Sequence, residues 1–148
     1  MSTSSARVLG LSTLTSTIPA LPLVGMRVTC GFPSPADDFL GEDLDITKRC
    51  ITNPVATFFA EAEGDSMIGF GIHPGDTLVV DRSIKAQDGD IAIVLWEGGL
   101  MVKKLRFRRH SVELVSGDDQ LAPIHVTEDS ELQVWGVVTW SFRKHLRR

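Results

Sequence analysis

The chain has 148 residues, 43% hydrophobic and 23% charged, with a formal net charge of −4. That composition suits one soluble domain with a modest core, and it exerts no global pull toward nucleic acid. No apolar run approaches the roughly 18 residues needed to cross a bilayer.

Charge is unevenly spread. Residues 31–65 carry eight acids against two bases, Lys48 and Arg49, whereas residues 103–110 carry five bases and no acid. Arg143, Lys144, Arg147 and Arg148 make the tail basic as well. Solvated strand and tail surface is the plain reading of both basic clusters, with an acidic or nucleic-acid partner as the alternative. Cys30 and Cys50 make no disulfide framework, and no His/Cys spacing suggests zinc, so neither a metal nor a cofactor is expected. A reducing cytoplasm is the expected compartment.

Residues 1–30 are rich in Ser, Thr, Leu and Pro, contain no acid and show no sustained helical or strand period, so they read as an arm. An export signal ending at a lipidated Cys30 is a poor fit. Ser12, Thr13, Thr15, Ser16, Thr17, Pro19 and Pro22 interrupt the apolar stretch, and Arg27 stands beside the supposed cleavage point. Pro33 and Pro35 then remove backbone donors and hold their neighbours extended, which rules out a helix there. From Asp37 to Arg49 the pattern of Phe39, Leu40, Leu44 and Ile46 among acids allows at most a short helix or turn. Residues 31–52 therefore read as an extended or short helical linker, and Asn53-Pro54 opens the body of the domain, 53–148.

Beyond Asn53 the signals are almost all strand. Thr57–Ala62, Thr77–Asp81, Ile91–Trp96, Leu100–Arg108, Val112–Val115 and Leu132–Phe142 are the candidates. Glu97-Gly98-Gly99 reads as a hairpin turn, because glycine accepts positive φ. With no βαβ alternation and no internal repeat, the expectation is a mainly β, antiparallel sheet or partial barrel behind an extended N-terminal arm.

Strand alternation singles out one lysine. Met101, Lys103, Leu105 and Phe107 share one face of their strand, and Val102, Lys104, Arg106 and Arg108 share the other. The first face is apolar apart from Lys103. A lysine held against such a face loses hydration, which lowers its pKa. An unperturbed lysine near pKa 10.4 is neutral only about 0.04% of the time at pH 7, so a depressed one is a usable general base. The alternative is that Lys103 snorkels from a strand edge with its head in water.

Ser66, in Glu63-Gly64-Asp65-Ser66-Met67, is by itself an ordinary turn serine or helix cap. Beside a neutral lysine, however, a serine becomes a nucleophile for acyl transfer, with the lysine taking its proton. Backbone N–H groups of Asp65 and Ser66 could supply an oxyanion hole. His73, His110, His125 and His145 read as turn, loop or tail residues and offer no convincing alternative base.

Four blocks carry a family resemblance: Cys30-Gly31-Phe32-Pro33-Ser34-Pro35-Ala36, Gly64-Asp65-Ser66-Met67-Ile68, Gly71 through Asp81, and Val102-Lys103-Lys104-Leu105. In content and order the chain resembles the UmuD-type accessory proteins of bacterial translesion polymerase operons, within the LexA-like self-cleaving serine peptidases. The resemblance runs from about Cys30 to Val137-Val138 and leaves residues 1–29 as a variable arm. It implies a LexA-like peptidase fold, Ser66 as nucleophile, Lys103 as general base and Cys30–Gly31 as the scissile bond. It further implies SOS-response cleavage stimulated by a RecA filament on single-stranded DNA. The trimmed product would be a homodimer serving a UmuC-like Y-family DNA polymerase, without sequence-specific DNA binding or membrane contact of its own. The separation of 36 positions from Cys30 to Ser66 could span up to roughly 120 Å when extended, which permits cleavage in cis or in trans.

Three competing readings remain at this level. A signal peptidase shares the Ser/Lys logic but needs a membrane anchor. A LexA-like repressor needs a helix-turn-helix, which about 30 residues rich in Ser, Thr and Pro cannot build. The non-enzymatic alternative is a polymerase-binding module with a vestigial dyad.

Overall fold

The structure, a computed structural model, describes residues 5–11, 20–24, 28–33 and 40–148. The chain divides into two units, one of residues 13–52 and the other of residues 1–12 with 53–148. Expectations placed on Ser34 to Phe39, including Pro35, lie outside the described residues.

In the larger unit the strands are β1 (Ser5–Leu11), β4 (Thr57–Glu63), β5 (Thr77–Asp81), β6 (Ile91–Trp96) and β7 (Gly99–Phe107), followed by β8 (Ser111–Val115), β9 (Ile124–Thr127) and β10 (Gln133–Phe142). They form one eight-stranded sheet in the order β1-β4-β5-β10-β6-β7-β8-β9, and every neighbouring pair is antiparallel. The mainly β, antiparallel expectation therefore holds. In the smaller unit β2 (Leu21–Val24) pairs antiparallel with β3 (Leu40–Leu44), and α1 (Ile46–Cys50) follows. Asp45 caps α1, its carboxylate accepting from Thr47 N at 3.0 Å and Lys48 N at 3.2 Å. Among the described residues no helix is long and apolar enough to cross a membrane.

Six strands sit where the sequence pattern puts them, β10 among them despite register shifts between Val134 and Gly136 and between Val138 and Trp140. β6, read as Ile-Ala-Ile-Val-Leu-Trp, is apolar throughout for a visible reason. Ile93 enters one core cluster with Ala60, Met67, Leu78, Val80 and Val102, while its neighbours Ala92 and Val94 enter a second with Leu105, Leu114 and Val126. A strand covered on both faces needs no polar side. The turn into β7 is tighter than Glu97-Gly98-Gly99 suggests. Trp96 pairs with Gly99, leaving Glu97 at φ 48° and Gly98 at φ 77° as a two-residue loop with both φ values positive, as in a type I′ turn.

Strands β1, β2, β3 and β9 escape the sequence pattern. β3 corrects the expectation of at most a short helix or turn between Asp37 and Arg49, where α1 is joined by a strand. In β1 the register slips between Val8 and Gly10, and such a bulge resets the alternation on which pattern reading depends. β9 has four residues, of which Val126 alone is buried, and it places His125 on a strand instead of in a loop.

Candidate active site

Ser66 follows β4. Gly64, at φ 79°, turns the chain out of the strand in a conformation that favours glycine. Met67 then enters the core fully buried, and a single 3-10 turn, Ile68–Phe70, follows. Ile68 N donates to Asp65 O at 3.2 Å and Ile72 N to Met67 O at 3.2 Å, so the loop is closed on itself around Met67. Ser66 itself is 0% exposed.

The far end of this loop is held by an ion pair. Asp76, 1% exposed, accepts from Arg143 Nε at 2.8 Å and Nη2 at 2.8 Å, and from His73 N at 2.8 Å. Arg143 Nη2 also reaches Gly71 O at 3.1 Å. The Arg143 hydrogen bond holds the Asp76 carboxyl below its usual range, outweighing the opposing effect of burial. A depressed carboxylate contributes stability that is complete above its unfolded value near 4 and lost as pH falls through the folded value. Arg143→Ala leaves that carboxylate without its partner. We expect a loss of stability, smaller than for a wholly buried pair because Arg143 is partly exposed. Acid unfolding followed by circular dichroism should move to higher pH in the variant, and an unmoved transition would count against the pair.

Lys103 lies on β7 with 2% exposure, whereas Lys104 is half-buried with its amine 4.6 Å from the Phe70 ring centroid. Alternation thus puts the inward lysine where the sequence expects it, and snorkelling from an edge does not describe it. Its cross-strand partner on β6 is Ala92, small enough to leave room for a lysine stem. Burial pushes the Lys103 amine below its ordinary pKa.

Ser66 and Lys103 are both bonded to one short segment after β8 that sequence reasoning missed. Gly117 N donates to Ser66 O at 2.7 Å, and Lys103 Nζ donates to Ser116 Oγ at 2.5 Å. The adjacent residues Ser116 and Gly117 therefore hold Ser66 on one side and Lys103 on the other. A signal for this was present. β7 and β8 pair Leu105 with Leu114 and Lys104 with Val115, so the next rung sets Lys103 opposite Ser116. Gly117 is small of necessity, since a Cβ there would lie 2.9 Å from both Gly69 N and Phe70 N.

Cys30 is exposed and free, and residues 30–32 form a bend. The Thr29 hydroxyl donates to Phe32 O across it, and Phe32 is 93% exposed. The Cys30–Gly31 bond thus sits in an exposed bend. Cys50, the other thiol, is buried and its pKa is raised by that burial, as suits a structural residue. The basic run 103–110 is largely spoken for. Arg106 Nε and Arg108 Nε meet Glu113 at 2.6 and 3.2 Å, and His110 Nδ1 lies 3.4 Å from Glu128. Arg143, read as part of a basic tail, is likewise engaged. Among the described residues no group of three or more His, Cys, Asp or Glu side chains could hold a metal.

The Peptidase S24-like family matches residues 22–139, a span that includes Cys30, Gly31, Ser66 and Lys103. The chain belongs to that family. Protein SamA of Salmonella typhimurium is 43% identical over 119 residues, 80% of this chain and 81% of SamA. Protein MucA of Escherichia coli is 34% identical over 131 residues, covering 88% of this chain and 89% of MucA. The LexA repressor of Oleidesulfovibrio alaskensis is 37% identical over 120 residues, which is 80% of this chain and 56% of the repressor. The family is one of serine peptidases, and the UmuD-type relatives set the chain within its SOS-related, self-cleaving branch.

Proposed function

We propose that the chain is a self-cleaving serine peptidase of the SOS response that cuts its own Cys30–Gly31 bond with a Ser66/Lys103 dyad. The observation that carries the reading is the pair Ser116-Gly117, which holds a desolvated lysine amine on one side and the Ser66 backbone on the other.

The steps follow from the groups present. Neutral Lys103 takes the Ser66 hydroxyl proton as Oγ attacks the Cys30 carbonyl carbon. Backbone N–H groups of Asp65 and Ser66 stabilise the oxyanion. Collapse breaks the Cys30–Gly31 C–N bond, and the Lys103 ammonium returns its proton to the Gly31 amine. Residues 1–30 remain as an ester on Ser66 until water, deprotonated by Lys103, releases them. Residues 31–148 then form the homodimer that serves a UmuC-like Y-family polymerase in the cytoplasm. A RecA filament on single-stranded DNA acts upstream by favouring the docked arm over the undocked one, contributing no catalytic group. Docking an extended segment along a sheet is strand addition, and the pairing of β1 with β4 supports this chain's use of it.

Purified protein held at alkaline pH should lose residues 1–30 at a rate that climbs with pH and levels once Lys103 has titrated. Because burial lowers the Lys103 pKa, levelling should come below the ordinary lysine value near 10.4. Intact mass spectrometry reads the loss, and Ser66→Ala should show none. An intact parent throughout this range would favour the non-catalytic polymerase-binding alternative.

A further inference from the structure

The strongest feature outside the dyad is the side chain that touches its lysine. Ser116 stands immediately after β8, on the rung opposite Lys103, and its Oγ lies 2.5 Å from Lys103 Nζ. We propose that Ser116 is the positioning residue for the general base, its hydroxyl fixing the Lys103 amine so that the nitrogen lone pair faces Ser66. This inference rests on the dyad reading above.

The need for such a residue is physical. Lysine carries its amine on a flexible four-carbon stem. A base must also point its lone pair at the proton it removes. Packing against Ala92 constrains the stem but not rotation about the terminal C–N bond. A hydroxyl that accepts one N–H of the amine fixes that rotation and leaves the lone pair free. Ser116 is itself well anchored. Its neighbour Gly117 is bonded to Ser66 O, and Gly117 packs against Gly69 so closely that neither tolerates a Cβ. A shift of the Ser66 loop therefore carries Ser116 with it, keeping nucleophile and base in register.

The charged surroundings leave this role to a neutral group. Lys104 and Arg106 of β7 occupy the opposite face, where Glu113 of β8 binds Arg106 and also Arg108, just beyond the strand. β6 has no titratable side chain. On the loops that approach, Asp65 and Asp118 are exposed, and Asp118 Oδ1 accepts from Gln120 N at 2.9 Å. A carboxylate at the Ser116 position would hold the lysine charged and spoil it as a base. A hydroxyl orients it at a smaller penalty.

That penalty provides the test. A hydrogen bond accepted from the ammonium favours the charged form, so removing it should lower the lysine pKa further. In full-length Ser116→Ala, the acid limb of the self-cleavage rate–pH profile should move down by about one pH unit, the order a charge-assisted bond carries. The plateau rate should fall at least about tenfold through misorientation. Ser116→Thr keeps the hydroxyl and should restore both. A Ser116→Ala profile with the parent's inflection and plateau would overturn the proposal. So would a Ser116→Thr protein that behaves like Ser116→Ala, since the turn's shape would then be what matters. If the parent fails to cleave, the dyad reading falls first, and a Lys103 titration followed by NMR in parent and Ser116→Ala still decides the contact. A downward shift in the alanine protein supports the contact, and an unchanged titration overturns it.

Discussion

Lys103→Met should all but abolish self-cleavage while raising the thermal midpoint. The two effects have one cause. Lys103 is buried on the face it shares with Leu105, and burial disfavours its charged form. Its folded pKa is depressed, so its contribution to stability is most favourable above the unfolded value near 10.4 and declines as pH falls through the folded value. At neutral pH the lysine is therefore a liability that an apolar side chain of similar length removes. Loss of a general base costs about 10²–10⁴-fold in rate. Lys103→Ala should lose the same activity, and it also leaves a hole, so its midpoint should not rise. A methionine protein that cleaved at the parent's rate would remove Lys103 from the mechanism. One that lost stability would mean the amine serves the fold.

Much of this was legible in the chain. Period-two alternation distinguished Lys103 from Lys104, since a strand of nine residues between β6 and β8 gives each side chain one face and no choice. The apolar run Ile91–Trp96 was legible for the same reason. Ser66 was not legible alone, because a serine after Gly-Asp is an ordinary turn residue until something basic stands nearby. The matching blocks supplied that context. Ser116 and Gly117 were missed because their value lies in a rung that forms only after β7 and β8 pair. Arg143 was read as free tail charge, because its partner Asp76 lies 67 residues away in the chain and no local pattern joins them. β1 was hidden by its bulge.

Gly69→Ala should be the most damaging small substitution near the site. A Cβ at Gly69 would lie 2.0 Å from Gly117 O and 2.9 Å from Gly117 C. Both are backbone atoms, so no rotamer relieves the clash and the two turns must separate. Separation breaks the Gly117 N–Ser66 O bond of 2.7 Å and draws Ser116 from Lys103. We expect a loss of about 3 kcal/mol, at the upper end for overpacking. In a chain of this size that lowers the thermal midpoint by roughly 6–12 °C. Cleavage should fall even at temperatures where the variant is folded, because the register between nucleophile and base is lost. By contrast, Gly31→Ala meets nothing within 4 Å and should leave stability unchanged. A Gly69→Ala protein with the parent's midpoint and cleavage rate would show that the two turns can part without consequence.

One chemical event lies at the centre, the removal of residues 1–30 by the chain itself. Intact mass spectrometry of the purified protein, followed from pH 7 to about pH 10.5 alongside Ser66→Ala, tests it most directly. A product beginning at Gly31 should accumulate, faster as pH rises, and be absent from the alanine protein. A parent that keeps its full mass across that range, or a Ser66→Ala protein that is cut at the same bond, would contradict it.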